Sequence, residues 1–145
     1  MTCEGDWLGG MPPAAELGSD LELAARRGVD LVVDLRSPRA RASQPLAAAV
    51  EGAGLTLLTI EGTSADQISA DAVDEVRRVL NAPNRRRLLL IDEDGTRASV
   101  IYAIHLAADE GIAEADALRA ARAIGLGQLS ADFVHEEVER IRSGA

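Results

Sequence analysis

Asp92-Glu93-Asp94-Gly95-Thr96-Arg97-Ala98-Ser99 gathers three carboxylates, a glycine, two hydroxyls and a guanidinium into one short stretch. It follows directly on the apolar run Leu88-Leu89-Leu90-Ile91. A carboxylate beside a cation can attack phosphorus or carry a proton. An arginine can hold an anion through two hydrogen bonds. The helical pattern that begins near Arg97 adds free N–H groups and a positive dipole end, which suit a phosphate.

The surrounding elements must place this loop at the carboxyl end of a buried strand, where α/β proteins bind their ligands. A short strand is expected around Trp7 and Leu8, followed by a break at Gly9, Gly10, Pro12 and Pro13. A short helix capped by Ser19 or Asp20 carries Leu21, Leu23, Ala24 and Ala25 and stops at Gly28. Strands follow at Val29–Leu35, Leu55–Ile60 and Leu88–Ile91; their continuous apolar runs fit strands covered on both faces. Ser37–Ser43 reads as a polar loop, and Gln44–Ala53 as a helix. Ser69 is a good N-cap for a helix reaching Leu80. Helices over Arg97–Glu110, Glu114–Ile124 and Ala131–Ile141 complete the chain. Strands alternating with helices predict an α/β fold with a mainly parallel sheet of about four strands, flanked by helices. With no internal repeat and no long linker, residues 1–145 read as one domain.

Composition narrows the functions. The chain is 47% hydrophobic but has only Trp7, Tyr102 and Phe133 as aromatics, so its core must be aliphatic. All 15 basic residues are arginine, and the net charge is −9. That balance argues against a nucleic-acid surface, which needs clustered cations. The run Arg85-Arg86-Arg87, just before a strand, reads as a solvated edge or turn. Cys3 is the sole cysteine, so no internal disulfide can form. The first ten residues lack the basic and apolar regions of a signal peptide. No apolar run approaches the roughly 20 residues that span a bilayer. A cytoplasmic protein that engages no membrane is expected.

The order of these pieces resembles the bacterial beta-lactamase-hydrolase-like family, related to dual-specificity and tyrosine phosphatases. The segment Gly28–Arg36, ending Asp34-Leu35-Arg36, is similar to that family's early strand with its Asn-Leu-Arg-like triplet. Gln44-Pro45, Ala53-Gly54-Leu55 and the tail from Glu114 to Gly125 with Leu129 also match its layout. The resemblance implies a phosphotyrosine-phosphatase-like fold. It also implies a loop of the form Cys-x-x-Gly-x-Arg followed closely by Ser. Gly95, Thr96, Arg97 and Ser99 fall where the family has its own residues, and Asp92 falls on the nucleophile. The family's chemistry needs a low-pKa thiolate, with N–H groups and the arginine on the phosphate oxygens. Asp92 is a poorer nucleophile and adds negative charge where a dianion should sit, and Glu93 and Asp94 add more. Rhodanese-type sulfurtransferase loops share the pattern and need the same thiol. Asp66 lies where the wider superfamily places a general acid, although a turn residue explains it as well.

A second resemblance competes. Asp92-x-Asp94-Gly95-Thr96 after a strand matches the first motif of haloacid-dehalogenase-type phosphatases, in which the first Asp attacks phosphorus and Mg²⁺ neutralises the charge. That motif normally opens its fold, whereas here it comes at residue 92, and the lysine that family uses is absent. Asp92, Glu93 and Asp94 offer oxygen ligands to a hard cation. They lack further spaced ligands, so neither a metal nor a cofactor is expected. His105 reads as a packed side chain, and His135 as part of a solvated acidic face with Glu136, Glu137 and Glu139. The expected function is a degenerate phosphatase-like domain that binds a protein or a small anionic ligand, or serves a structural role. The alternative is an active phosphatase, for example through Asp92 and Mg²⁺, with Asp94 as the second candidate catalytic residue.

Overall fold

In the computed structural model, residues 2–3, 6–61, 68–82, 87–124 and 131–144 are described. Five strands form one sheet in the order β1-β2-β5-β3-β4: β1 (Thr2–Cys3), β2 (Asp6–Gly10), β3 (Val29–Asp34), β4 (Thr56–Thr59) and β5 (Arg87–Asp92). β2, β5, β3 and β4 run parallel, and β1 adds a two-residue antiparallel edge. The expected parallel sheet of four strands is present, and the Leu88–Leu90 segment lies inside it.

Two apolar layers cover the sheet. On one face pack α4 (Ala70–Leu80), α5 (Thr96–Ala108), α6 (Glu114–Ile124) and α7 (Ala131–Arg142), with Val33, Leu88, Leu90, Ile101 and Ile104 in their core. On the other face, α1 (Ala14–Arg26) and α3 (Ala47–Gly52) cover Val32, Leu57 and Ile91 through Leu17, Leu21 and Val50. Each fully buried Leu or Val contributes about 1.5–3 kcal/mol. α5 is buried at every position from Arg97 to Ala107 because it lies between the sheet and α6 and α7. Among the described residues, no helix is long and apolar enough to cross a membrane.

Three boundaries differ from the sequence reading. α1 begins at Ala14, before Ser19 and Asp20, because Pro12-Pro13 ends the preceding segment and Leu17, Leu21 and Ala24 already form a buried stripe. Ser37–Ser43 is not all loop. Pro38 starts a six-residue helix, α2 (Pro38–Ser43), with the Ser37 hydroxyl accepting from the Ala40 N–H at 3.3 Å. Proline is well tolerated in a first helical turn, where its missing N–H has no partner to lose. The Gln44–Ala53 helix shortens to α3, since Gln44 C-caps α2. The Ser69 cap holds as expected, accepting from Ala72 N at 3.1 Å.

Candidate functional site: a loop closed on its own carboxylate

The loop leaves β5 at Asp92 and enters α5 at Thr96. Gly95 makes the turn possible. It caps α5 with φ +89, a left-handed conformation that side chains with a Cβ resist. The carboxyl end of β2 braces the loop from the side. Gly10 forms an antiparallel bridge with Asp94, and Met11 N donates to Glu93 O at 3.4 Å. A Cβ on Gly10 would fall 2.8 Å from Asp94 Cα, so the approach requires glycine. β3 supports the opposite side, where Leu35 N donates to Ile91 O at 2.8 Å.

Asp92 is fully buried. Its Oδ1 accepts from the backbone N–H groups of Asp94, at 3.1 Å, and Gly95. Its Oδ2 accepts from those of Arg97 and Ala98, the latter at 3.3 Å. The loop and the first turn of α5 thus turn four donors onto one side chain. Burial pushes the Asp92 pKa up from its ordinary value, and the neighbouring Asp94 charge adds to this. The Gly95, Arg97 and Ala98 N–H groups pull against both.

The other loop residues point elsewhere. Asp94 Oδ1 accepts from Thr96 N at 2.9 Å, and this bond holds the Asp94 pKa below its ordinary value. Arg97 Nη1 donates to both carboxylate oxygens of Glu93 at 2.9 Å. The guanidinium thus pairs with a carboxylate of its own loop, Glu93. The physical reason is direction: Asp92 turns inward to the N–H groups, Asp94 caps the helix, and Glu93 lies i,i+4 from Arg97 on the outside. Ser99 is buried, and among the described residues its Oγ has no hydrogen-bond partner.

A second anchor stands next to the loop on β3. Arg36 and Asp34 form a fully buried bidentate pair, Nε to Oδ1 at 2.9 Å and Nη2 to Oδ2 at 3.0 Å. Arg36 Nη1 also donates to Gln44 O at 2.8 Å, tying α2 to the sheet. The Asp34-Leu35-Arg36 triplet was visible in the sequence, but its pairing was not. Asp6 on β2 is a further buried carboxylate, accepting from Leu88 N at 3.0 Å and from the Tyr102 hydroxyl at 3.3 Å.

Of the remaining candidates, Asp66 lies outside the described residues, as do Arg85 and Arg86. His105 is buried, with Nδ1 3.0 Å from Asp109 and Nε2 3.3 Å from Glu110. It is a packed side chain of α5, as expected. His135 is exposed but not simply solvated: its Nδ1 lies 2.9 Å from Glu114 Oε2.

No family model and no curated protein sequence matches the chain. Solved structures do match, and they share one architecture. The fold is that of the tyrosine and dual-specificity phosphatases. Kinase-associated phosphatase, solved with its catalytic-site cysteine replaced by serine, is 18% identical, with a TM-score of 0.69 over 87% of this chain and 78% of that one. A DUF442 protein from Shewanella putrefaciens CN-32 is 16% identical, with a TM-score of 0.66 over 94% and 85% of the two chains. PTPMT1, solved in complex with PI(5)P, is 13% identical, with a TM-score of 0.70 over 94% and 92%. At such identities the likeness carries the fold alone.

Proposed function

We propose that this chain is a degenerate phosphatase-like domain that lacks cysteine-dependent phosphatase activity and acts by binding or as a structural part. One observation carries the reading: the side chain at position 92 is a buried carboxylate that already accepts the N–H groups of its own loop. A phosphatase loop of this kind uses such donors for the oxygens of an incoming phosphate. Here Asp92 supplies oxygens from within the chain. The loop carries three carboxylates against one arginine, so it repels a dianion.

Mg²⁺-dependent attack by Asp92 is the less supported reading. Such attack needs one carboxylate oxygen turned to phosphorus and a cation close by. Both oxygens of Asp92 instead face N–H groups, whose positive ends disfavour a cation.

The test is hydrolysis of an aryl phosphate by the purified protein with Mg²⁺, without it, and with a chelator. No turnover in any condition is the expected result. Turnover that needs Mg²⁺ and disappears in Asp92→Asn would overturn the proposal. Turnover lost in Cys3→Ser would overturn it by the thiol route.

A further inference from the structure

We propose that Glu114, His135 and Glu139 form a binding site for a divalent transition-metal ion of the zinc type, bridging α6 and α7. Among the described residues these three form the one group of His, Cys, Asp and Glu side chains whose ligand atoms could close on a single ion, all within 4.8 Å of one another. His135 and Glu139 are four residues apart on α7 and therefore share a face. Glu114 meets them from the first turn of α6, with its Oε1 and Oε2 at 3.2 and 2.9 Å from His135 Nδ1.

The donor set selects the ion. Zinc accepts imidazole nitrogen and carboxylate oxygen at about 2.0–2.2 Å, and sites with three protein ligands leave a fourth position to water. Calcium and magnesium take oxygen ligands, so they gain little from His135. Around a tetrahedral zinc the ligand atoms lie about 3.4 Å apart, as those bond lengths require. Glu114 is already that close, and Glu139 is an exposed, flexible side chain that can move inward. The two carboxylates also gather a cation already: Arg142 Nη1 lies 3.9 Å from Oε1 of Glu114 and 3.9 Å from Oε1 of Glu139. Arg142 is half-exposed and can swing into solvent as an ion enters.

The groups facing His135 are Glu114 from α6, Glu139 and Asp132 from α7, and Arg142 beside the carboxylates. The Glu114 carboxylate, helped by the charges of Glu139 and Asp132, raises the pKa of His135. Zinc must displace the proton from the imidazole, so binding weakens on acidification.

The experiment is calorimetric titration of the untagged Cys3→Ser protein with ZnCl₂, near neutral pH and at about pH 5.5. The Cys3→Ser background removes the thiol as a competing ligand. The expected result is saturable binding of one Zn²⁺ per chain, weaker at the lower pH. His135→Ala and Glu139→Gln should each weaken it by more than about tenfold, because they delete ligands. Arg142→Ala should tighten it, because it removes the competing cation. All of these side chains are at least partly exposed, so the variants should fold. No saturable binding, or binding that survives His135→Ala unchanged, would overturn the assignment. Binding unaffected by His135→Ala but lost in Asp94→Asn would place the ion at the β5–α5 loop and overturn it equally.

Discussion

Asp92 bonds to the backbone N–H of Arg97 and leaves the Arg97 guanidinium to Glu93. The two carboxylates therefore do separate jobs. Asp92 satisfies buried donors, whereas Glu93 makes a partly exposed ion pair. Glu93 is the exposed partner of a buried arginine, and solvent screening on its side keeps the pair near the surface value of roughly 0–1 kcal/mol. Leaving buried donors without an acceptor costs about 1–3 kcal/mol. Urea unfolding should therefore show Asp92→Ala clearly destabilised and Glu93→Ala nearly unchanged. Equal losses in the two variants would mean that the loop is held by its surface pair.

Gly10 and Gly9 give a matched comparison beside that loop. A Cβ at Gly10 would lie 2.8 and 2.9 Å from the Asp94 backbone, and no rotamer change can relieve that contact. A Cβ at Gly9 would meet nothing within 4 Å. Gly10→Ala should cost about 1–3 kcal/mol, as forced overpacking does. Gly9→Ala should lie within about 0.5 kcal/mol of the parent. Thermal unfolding of the two variants checks this, and similar melting temperatures would argue against the tight approach of β2 to the loop.

The loop's position was legible because Leu88–Ile91 is a continuous apolar run and Gly95 follows at once. Those two features require a covered strand and a tight turn, whatever the rest of the chain does. Ser69 and the Val73, Val76 and Leu80 stripe made α4 legible in the same way. α2 was not legible, since it has no buried residue and six positions give no periodicity to read. The partners of the charged residues were hidden for a different reason. Arg36 finds Asp34 two residues away, Arg97 finds Glu93 rather than Asp92, and His135 finds Glu114 across 21 positions. With 24 acidic residues against 15 basic ones, the sequence offers each cation many partners, and only geometry selects among them.

Two aspartates should respond to pH with opposite signs. Asp109 is partly buried, which raises its pKa, but hydrogen bonds from Arg77, Asn81 and His105 outweigh this and leave it below its ordinary value. Arg77 holds Asp109 through both carboxylate oxygens, at 2.6 and 3.0 Å. A lowered folded-state pKa gives stability that is present above the unfolded value and lost as pH falls through the folded one. Asp92 is raised, so its contribution is full below the unfolded value and declines as pH rises through the folded one. Relative to the parent, Asp109→Asn should therefore look worst near neutral pH and recover in acid. The stability of Asp92→Asn relative to the parent should improve as pH rises. Guanidinium unfolding across a pH series reads these slopes directly, and parallel slopes for the two variants would contradict the opposed shifts.

Vanadate probes the loop itself, because it resembles the phosphate that such loops hold. In the parent protein the N–H groups of Asp94, Gly95, Arg97 and Ala98 are already given to Asp92. Vanadate should bind weakly, since it must displace a tethered carboxylate and approach two more. Replacing Asp92 by Cys removes the internal acceptor and puts a thiol against the first turn of α5, where N–H groups and the helix dipole lower a thiol pKa. Glu93 is held by Arg97, and Asp94 caps Thr96, so both negative charges persist in the variant. They still oppose a dianion, and recovery should be partial: measurably tighter vanadate binding, with slow aryl-phosphate turnover at most. Adding Glu93→Ala to Asp92→Cys should tighten binding again, because it removes one of the negative charges that oppose the dianion. Calorimetric titration of the parent, the single variant and the double variant orders the three affinities. If the parent binds vanadate as tightly as Asp92→Cys, the carboxylate does not block the loop, and the site serves an external anion in its natural form.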